Sequence, residues 1–284
     1  MIIDAFIDSP QNETFRKLIR LVESSRERRR TGRSVIEGVH LIESFWQANF
    51  GRNGVGGGMH WLFVCDESRQ SAETTTLLES IQTGGASGRE QIPRTLCLTP
   101  TLFKKVSQVE NGQGPLAVID TPRPCLPERL VGDSLYLDRV QDPGNVGSIL
   151  RTSAAAGLGS VLTSPGAAFS WAPKVLRSAM GAHFSLAVHE GIAVEQLTDD
   201  WLDGQQICAL VAPGQARQTQ NLTQVDLRAA TLWLAGSEGQ GLSDALLGDP
   251  RVIPVTIDQV SGVESMNVAA AVAVALFEQR RQRS

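Results

Sequence analysis

Three short segments of the chain gather side chains able to hold a charged ligand. The first runs from Leu137 to Thr152, where Asn145 is the expected N-cap of a helix that carries Arg151 on its second turn. A helix start beside an arginine favours an anion, because unpaired N–H groups and the helix dipole both point positive charge outward. The second segment places Gly236, Gly239 and Gly241 around Glu238, and such glycine density lets backbone approach a ligand closely. The third sets Ser265 and Asn267 at the opening of an alanine-rich helix whose small side chains permit tight packing. Taken singly, each has a plain structural reading as a cap or a tight turn.

Other chemistries find little support. No G-x-G-x-x-G or G-x-x-x-x-G-K-[ST] occurs, so dinucleotide and P-loop binding lose their usual basis. A Ser–His–Asp hydrolase needs a histidine near these loops, and His183 and His189 flank an apolar segment elsewhere. The four cysteines are widely spaced and the histidines show no metal spacing, so the expectation is no metal, no disulfide scaffold and no secretion. The start of the sequence lacks the features of a signal peptide, and the longest apolar stretch, 268–277, is too short to span a bilayer. With 42% hydrophobic and 20% charged residues, the chain can bury a core, and a cytoplasmic globular protein free of the membrane is expected.

Charge is unevenly placed around the net value of −4. Residues 1–125 hold 15 Lys and Arg against 14 Asp and Glu, whereas residues 126–284 hold 11 against 16. Between Arg16 and Arg33 lie eight basic residues and two glutamates, a stripe suited either to phosphate backbone or to solvent. Arg28, Arg29, Arg30 and Arg33 are the candidate phosphate contacts. The glycine-rich segment 51–58 is the alternative recognition surface.

The elements needed to position these residues follow from periodicity. Residues 14–29 carry apolar side chains at helical spacing, and 33–46 reads as a strand leading into a helix. Further strands are expected near 60–66, 95–98 and 116–119. Three prolines in 121–129 mark a linker. The expected organisation is a smaller α/β domain over 12–120, a linker over 121–130 and a second domain over 131–284. There, strands at 134–138, 160–163, 206–211, 231–235 and 251–257 alternate with helices near 146–156, 172–180, 242–247 and 266–279. That alternation, with strands apolar on both faces, predicts an α/β fold with a mostly parallel sheet. Ligands of such sheets bind at loops leaving the carboxyl ends of the strands, which is where the three segments fall.

Together and in this order, the segments resemble the SpoU–TrmH family of RNA ribose 2′-O-methyltransferases within the SPOUT superfamily. Its N-x-G-x-x-x-R-T motif stands here as Asn145, Gly147, Arg151 and Thr152, and G-x-E-x-x-G as Gly236, Glu238 and Gly241. The S-L-N-V motif stands as Ser265, Met266, Asn267 and Val268. The first domain is similar to the ribosomal-protein-like RNA-binding domain of some members, through its basic helix, the stretch from Ser34 to Glu43 and the Gly114–Val118 strand. One departure is the Ile-Pro-Met usually found eight residues before the motif-three serine. Ungapped counting reaches Ile257, Asp258 and Gln259, while an Ile253-Pro254-Val255 occurs four residues early, and Ile257 is the preferred adenosine contact.

The resemblance implies a deep trefoil knot, a homodimer, S-adenosylmethionine as methyl donor, and 2′-O-methylation of a ribose in rRNA or tRNA. It implies a cofactor site at Gly236, Gly241, Ile257 and Met266, with Leu234 beside them. It further implies that Arg151 sits at the ribose hydroxyl, that Asn145 and Asn267 orient it and the ribose, that Ser265 adds a hydroxyl contact, and that Glu238 fixes its loop or pairs with an arginine. Whether Arg151 is a base or grips phosphate stays open, although a guanidinium holds its proton so firmly that the base role is demanding. The alternative function is a catalytically silent RNA-binding protein that keeps the fold.

Overall fold

The computed structural model describes residues 2–50, 57–67, 69–85, 92–109, 114–202, 204–216, 218–260 and 265–284. Most of the glycine-rich segment, residues 51–56, lies outside the described residues. The chain forms two compact units, Met1–Pro122 with Trp171–Phe184, and Arg123–Ser170 with Ser185–Ser284.

The first unit contains β1 (Ala5–Ile7), α1 (Glu13–Glu23), α2 (Ser25–Thr31), β2 (Arg33–Glu37), α3 (Val39–Phe50), β3 (Met59–Cys65), α4 (Ala72–Gly85), β4 (Arg94–Leu98), α5 (Pro100–Val106) and β5 (Leu116–Asp120). Its sheet runs β1-β4-β3-β5-β2, with β1, β4 and β3 parallel and β5 antiparallel to both β3 and β2. Strand side chains alternate faces. Val35, Phe63, Leu96, Leu98, Leu116 and Val118 pack with Phe15 and Leu18 of α1 and Phe103 of α5, and the intervening Ile36, Leu62, Val64, Cys97 and Ile119 are buried on the other face.

The helix expected over 14–29 is two helices. The Asn12 side chain caps α1 by accepting the N–H groups of Thr14 and Phe15 at 3.0 and 3.2 Å. Ser24 then adopts an extended backbone (φ −119°, ψ 112°), and its hydroxyl accepts the Glu27 N–H to start α2. The break changes the fate of one arginine. Arg28, expected at an RNA surface, is buried and donates to the carbonyls of Leu21 and Val22 at 2.5 and 3.0 Å, and to the Ser25 hydroxyl at 2.7 Å. It satisfies the orphan carbonyls where α1 ends, and burial pulls its guanidinium below the ordinary arginine value.

The second unit contributes β6 (Ser134–Asp138), α6 (Pro143–Ala156) and β7 (Ser160–Thr163). The excursion Trp171–Phe184 belongs to the first unit, where its helix α7 (Pro173–Ala179) packs on β2. The second unit resumes with β8 (Ala187–Glu190), α8 (Asp199–Leu202), β9 (Gln206–Leu210), β10 (Gln220–Asn221), β11 (Thr231–Gly236), α9 (Asp244–Leu247), β12 (Val252–Thr256) and α10 (Val268–Gln282). Its seven strands are all parallel, in the order β10-β12-β9-β11-β6-β7-β8. Central β6 and β11 are buried along their whole length, which explains why they read as continuous apolar runs. After β12 the chain doubles back to lay α10 against α6 and β11. Gln279 of α10 anchors this return by accepting the indole N–H of the fully buried Trp233 at 2.9 Å. Among the described residues no helix is long and apolar enough to cross a membrane.

Replacing Arg28 with alanine leaves two buried carbonyls without a donor, and is expected to lower unfolding stability by about 1–3 kcal/mol. Arg29→Ala, on the exposed side of α2, should change it by less than about 0.5 kcal/mol in the same urea titration.

Candidate active site

A cleft of about 480 Å³ opens at the carboxyl ends of β9, β11 and β12 in the second unit. Four stretches of chain line it: 210–215 after β9, 235–241 after β11, Ile257 and Gln259 after β12, and residues from Ser265 to Ala271 leading into α10. The walls are turns, so the cleft offers much backbone and few long side chains. Ile257 lies on the wall, whereas Ile253 and Pro254 sit inside β12, paired with Cys208 and Ala209 of β9. The amide oxygen of Gln259 is buried there and has no hydrogen-bond partner among the described residues.

At the edge of the cleft one chain of hydrogen bonds joins all three segments. The Asn267 side-chain oxygen caps α10, accepting the N–H groups of Ala269 and Ala270 at 3.0 and 3.3 Å. Its NH2 group donates to the Asn145 side-chain oxygen at 3.0 Å. The Asn145 NH2 group in turn donates to a carboxylate oxygen of Glu238 in a very short contact. Asn145 was expected to be the N-cap of α6, but Asp142 takes that role, accepting the Asn145 N–H at 2.8 Å with Pro143 in the first turn. The reason is positional: Asp142 stands directly before the proline that begins the helix. Asn145 therefore has its side chain free to reach across.

The glycine loop is closed by a two-way backbone pair, Ser237 N–H to the Gly241 carbonyl at 3.2 Å and Gly241 N–H to the Ser237 carbonyl at 2.8 Å. A Cβ on Gly236 would lie 2.2 Å from the carbonyl carbon of Gly241, so the loop can fold back only if residue 236 has no side chain. Gly236 thus serves contact between two stretches of its own loop while also lining the cleft. Gly241 has a left-handed backbone (φ 66°), and a Cβ there would overlap the Gln215 amide at 1.6 Å.

Asp138, at the end of β6, is buried and accepts the Ser243 N–H at 2.7 Å. Arg139 follows it and lies side-on to the carboxylate, with N···O separations of 3.3 and 3.4 Å, then reaches the Gln240 side-chain oxygen at 3.1 Å. Neither the Asp138–Arg139 pair nor the 210–215 turn was singled out from sequence. The signal for the turn was available in Ala212-Pro213-Gly214-Gln215 directly after an expected strand.

Of the remaining candidates, Ser265 and Met266 line the cleft, but Leu234 is wholly buried in the core beneath it. Arg151 is exposed on α6, six residues past Asn145 and so about 9 Å further along the axis. Among the described residues it forms no hydrogen bond or ion pair. In the first unit, Arg29 and Arg30 are exposed, with Arg30 bridged to Glu27 at 2.7 Å, and Arg33 stacks over the Trp61 ring at 5.3 Å. Among the described residues no group of three or more His, Cys, Asp or Glu converges to hold a metal ion.

Gly236→Ala should open the loop and destabilise the chain by about 1–3 kcal/mol, because the added methyl meets backbone that cannot turn aside. Gly239→Ala, where a Cβ meets nothing within 4 Å, should stay within about 0.5 kcal/mol of the parent when both are melted side by side.

Comparison with known proteins agrees with this geometry. Residues 134–277 match the SpoU rRNA Methylase family. An uncharacterized tRNA/rRNA methyltransferase of Synechocystis is 31% identical, covering 98% of this chain and 94% of that protein. The 23S rRNA (guanosine(2553)-2′-O)-methyltransferase RlmP of Bacillus subtilis is 28% identical, covering 96% of this chain and 98% of its own length. In fold, the SpoU methyltransferase AviRb from Streptomyces viridochromogenes, solved with AdoMet, superposes with a TM-score of 0.80 at 24% identity, over 96% of this chain and 98% of that one. The chain belongs to the SpoU methylase family.

Proposed function

We propose that the chain is an S-adenosylmethionine-dependent RNA methyltransferase acting on a ribose 2′-hydroxyl of rRNA or tRNA. The observation that carries this reading is the Asn267–Asn145–Glu238 hydrogen-bond chain, which draws three separate segments together at the edge of a single cleft. The cleft suits the cofactor: Gly236 and Gly241 bring backbone without side chains to part of its wall, Ile257 and Met266 give apolar contact, and the Gln259 amide oxygen, unpartnered among the described residues, can accept a donor. Leu234 supports that wall from the core and touches no ligand. The family likeness adds to the reading, and with it the expected trefoil knot and a place in the cytoplasm.

Bound S-adenosylmethionine supplies an electrophilic methyl group. Arg151, cationic and exposed, grips an RNA phosphate and stabilises negative charge developing on the ribose oxygen. The hydroxyl proton passes to phosphate or water, since a guanidinium is a poor base at neutral pH. Asn145, held on two sides, fixes the start of α6 and with it the helix that carries Arg151. Ser265 faces the cleft with its hydroxyl unengaged among the described residues. Exposed Arg29 and Arg30 capture the RNA, with Arg33 on its Trp61 stack; Arg28 is withdrawn from that set by its burial. The exposed apolar strip Ala270, Val274 and Phe277 on α10 supports a homodimer through that helix.

Purified protein given methyl-labelled S-adenosylmethionine and unmodified rRNA or tRNA should place label in alkali-resistant dinucleotides. RNA binding without any label would instead favour the silent binder, and alkali-labile label would indicate a methylated base. Arg151→Ala should cut turnover by about 10²–10³-fold and leave cofactor affinity within about twofold. The Arg29→Gln, Arg30→Gln double variant should flatten the salt dependence of RNA binding by roughly 0.7–0.9 per lost contact. Equal slopes for variant and parent would remove this face from RNA recognition.

A further inference from the structure

Among the described residues only two other than glycine have a left-handed backbone, Arg139 (φ 55°) and Met180 (φ 49°). Met180 ends α7, a common place for that conformation. Arg139 follows a strand and has no such excuse. Its backbone is held by the Ser164 hydroxyl, which accepts the Arg139 N–H at 2.8 Å. A residue kept in a backbone conformation that arginine resists points to a role beyond packing.

The role follows from what the guanidinium touches. One edge lies against the buried Asp138 carboxylate, which also takes the Ser243 N–H just past the glycine loop. The remaining nitrogen, Nη1, donates to Oε1 of Gln240, and Gln240 lines the cleft. An amide has one oxygen and one NH2 group, so fixing the oxygen on arginine leaves the amide only donors to offer elsewhere. Gln240 alone could present either end. Gln240 beside Arg139 presents N–H.

We propose that Arg139 is a positioning residue that orients the Gln240 amide as a donor in the cleft, where it holds the carboxylate at the amino-acid end of the cofactor. This rests on reading the cleft as the S-adenosylmethionine site. A carboxylate is the ligand's one anionic group, and the Arg139 cation behind the amide strengthens the attraction.

The test uses calorimetry with two probes, S-adenosylhomocysteine, which carries the carboxylate, and 5′-methylthioadenosine, which lacks the amino-acid end. Glycine accepts φ 55° without strain, so Arg139→Gly keeps the backbone; the buried Asp138 carboxylate loses its cation but keeps the Ser243 N–H, so the variant should melt below the parent and still fold. It should nevertheless bind S-adenosylhomocysteine about tenfold more weakly while holding 5′-methylthioadenosine unchanged. Gln240→Leu should show the same selective loss, and the double variant should be no weaker than Gln240→Leu, because Arg139 acts through Gln240. Additive losses, an unchanged Kd for S-adenosylhomocysteine, or equal weakening of both probes would overturn the assignment. A parent protein that binds neither probe would overturn the reading of the cleft itself, and this inference with it.

Discussion

The second unit's site depends on one hydrogen-bond chain whose polarity is fixed at both ends. At one end the helix α10 offers only N–H groups, so Asn267 must turn its oxygen inward to cap them. Its NH2 group is then committed outward to Asn145, which must answer with oxygen. Asn145 is left with NH2 for its other partner, and Glu238, a carboxylate with acceptors only, is the complement. No amide in the series can flip without breaking a bond to a group that cannot adapt. Aspartate at either asparagine would set acceptor against acceptor.

The fold exists to deliver these three ends to one place. In the sheet, β11 lies between β6 and β9, so the glycine loop emerges directly beside the start of α6. The doubling back of α10 then brings Asn267 to the same edge, with Gln279 on Trp233 setting its depth. Capping by Asp142 settles the last degree of freedom, since it relieves Asn145 of local duty.

Much of this was legible in the sequence because it rests on local chemistry. The parallel sheet showed in strands such as 134–138 and 231–235, apolar on both faces because both faces are covered. The convergence of Asn145, Glu238 and Asn267 was anticipated by motif order. What escaped notice depends on partners remote in sequence or on short elements. β1, β8 and β10 have two to four residues each, too few for a period to register. Arg28 looks like its exposed neighbours in a basic run, and only the turn at Ser24 folds it beneath the end of α1. That Gly236 must also make room for Gly241 shows only once the loop is seen folded back on itself. Arg139 is one charge among many until its left-handed backbone is seen.

The hydrogen bonds that define the site span 122 residues between Asn145 and Asn267, and 93 between Asn145 and Glu238. Closing such long loops carries an entropic cost that contacts repay only when nearly everything between them is in place. The site is therefore a late product of folding and an early casualty of partial unfolding. A chain with every helix formed but α10 undocked would contain all three motifs and no cleft edge. Any ligand that binds only the finished cleft also draws the population toward complete folding, by about 2.7 kcal/mol at one hundred times its Kd. Cellular supply of such a ligand would then govern how long the chain survives as well as how fast it works.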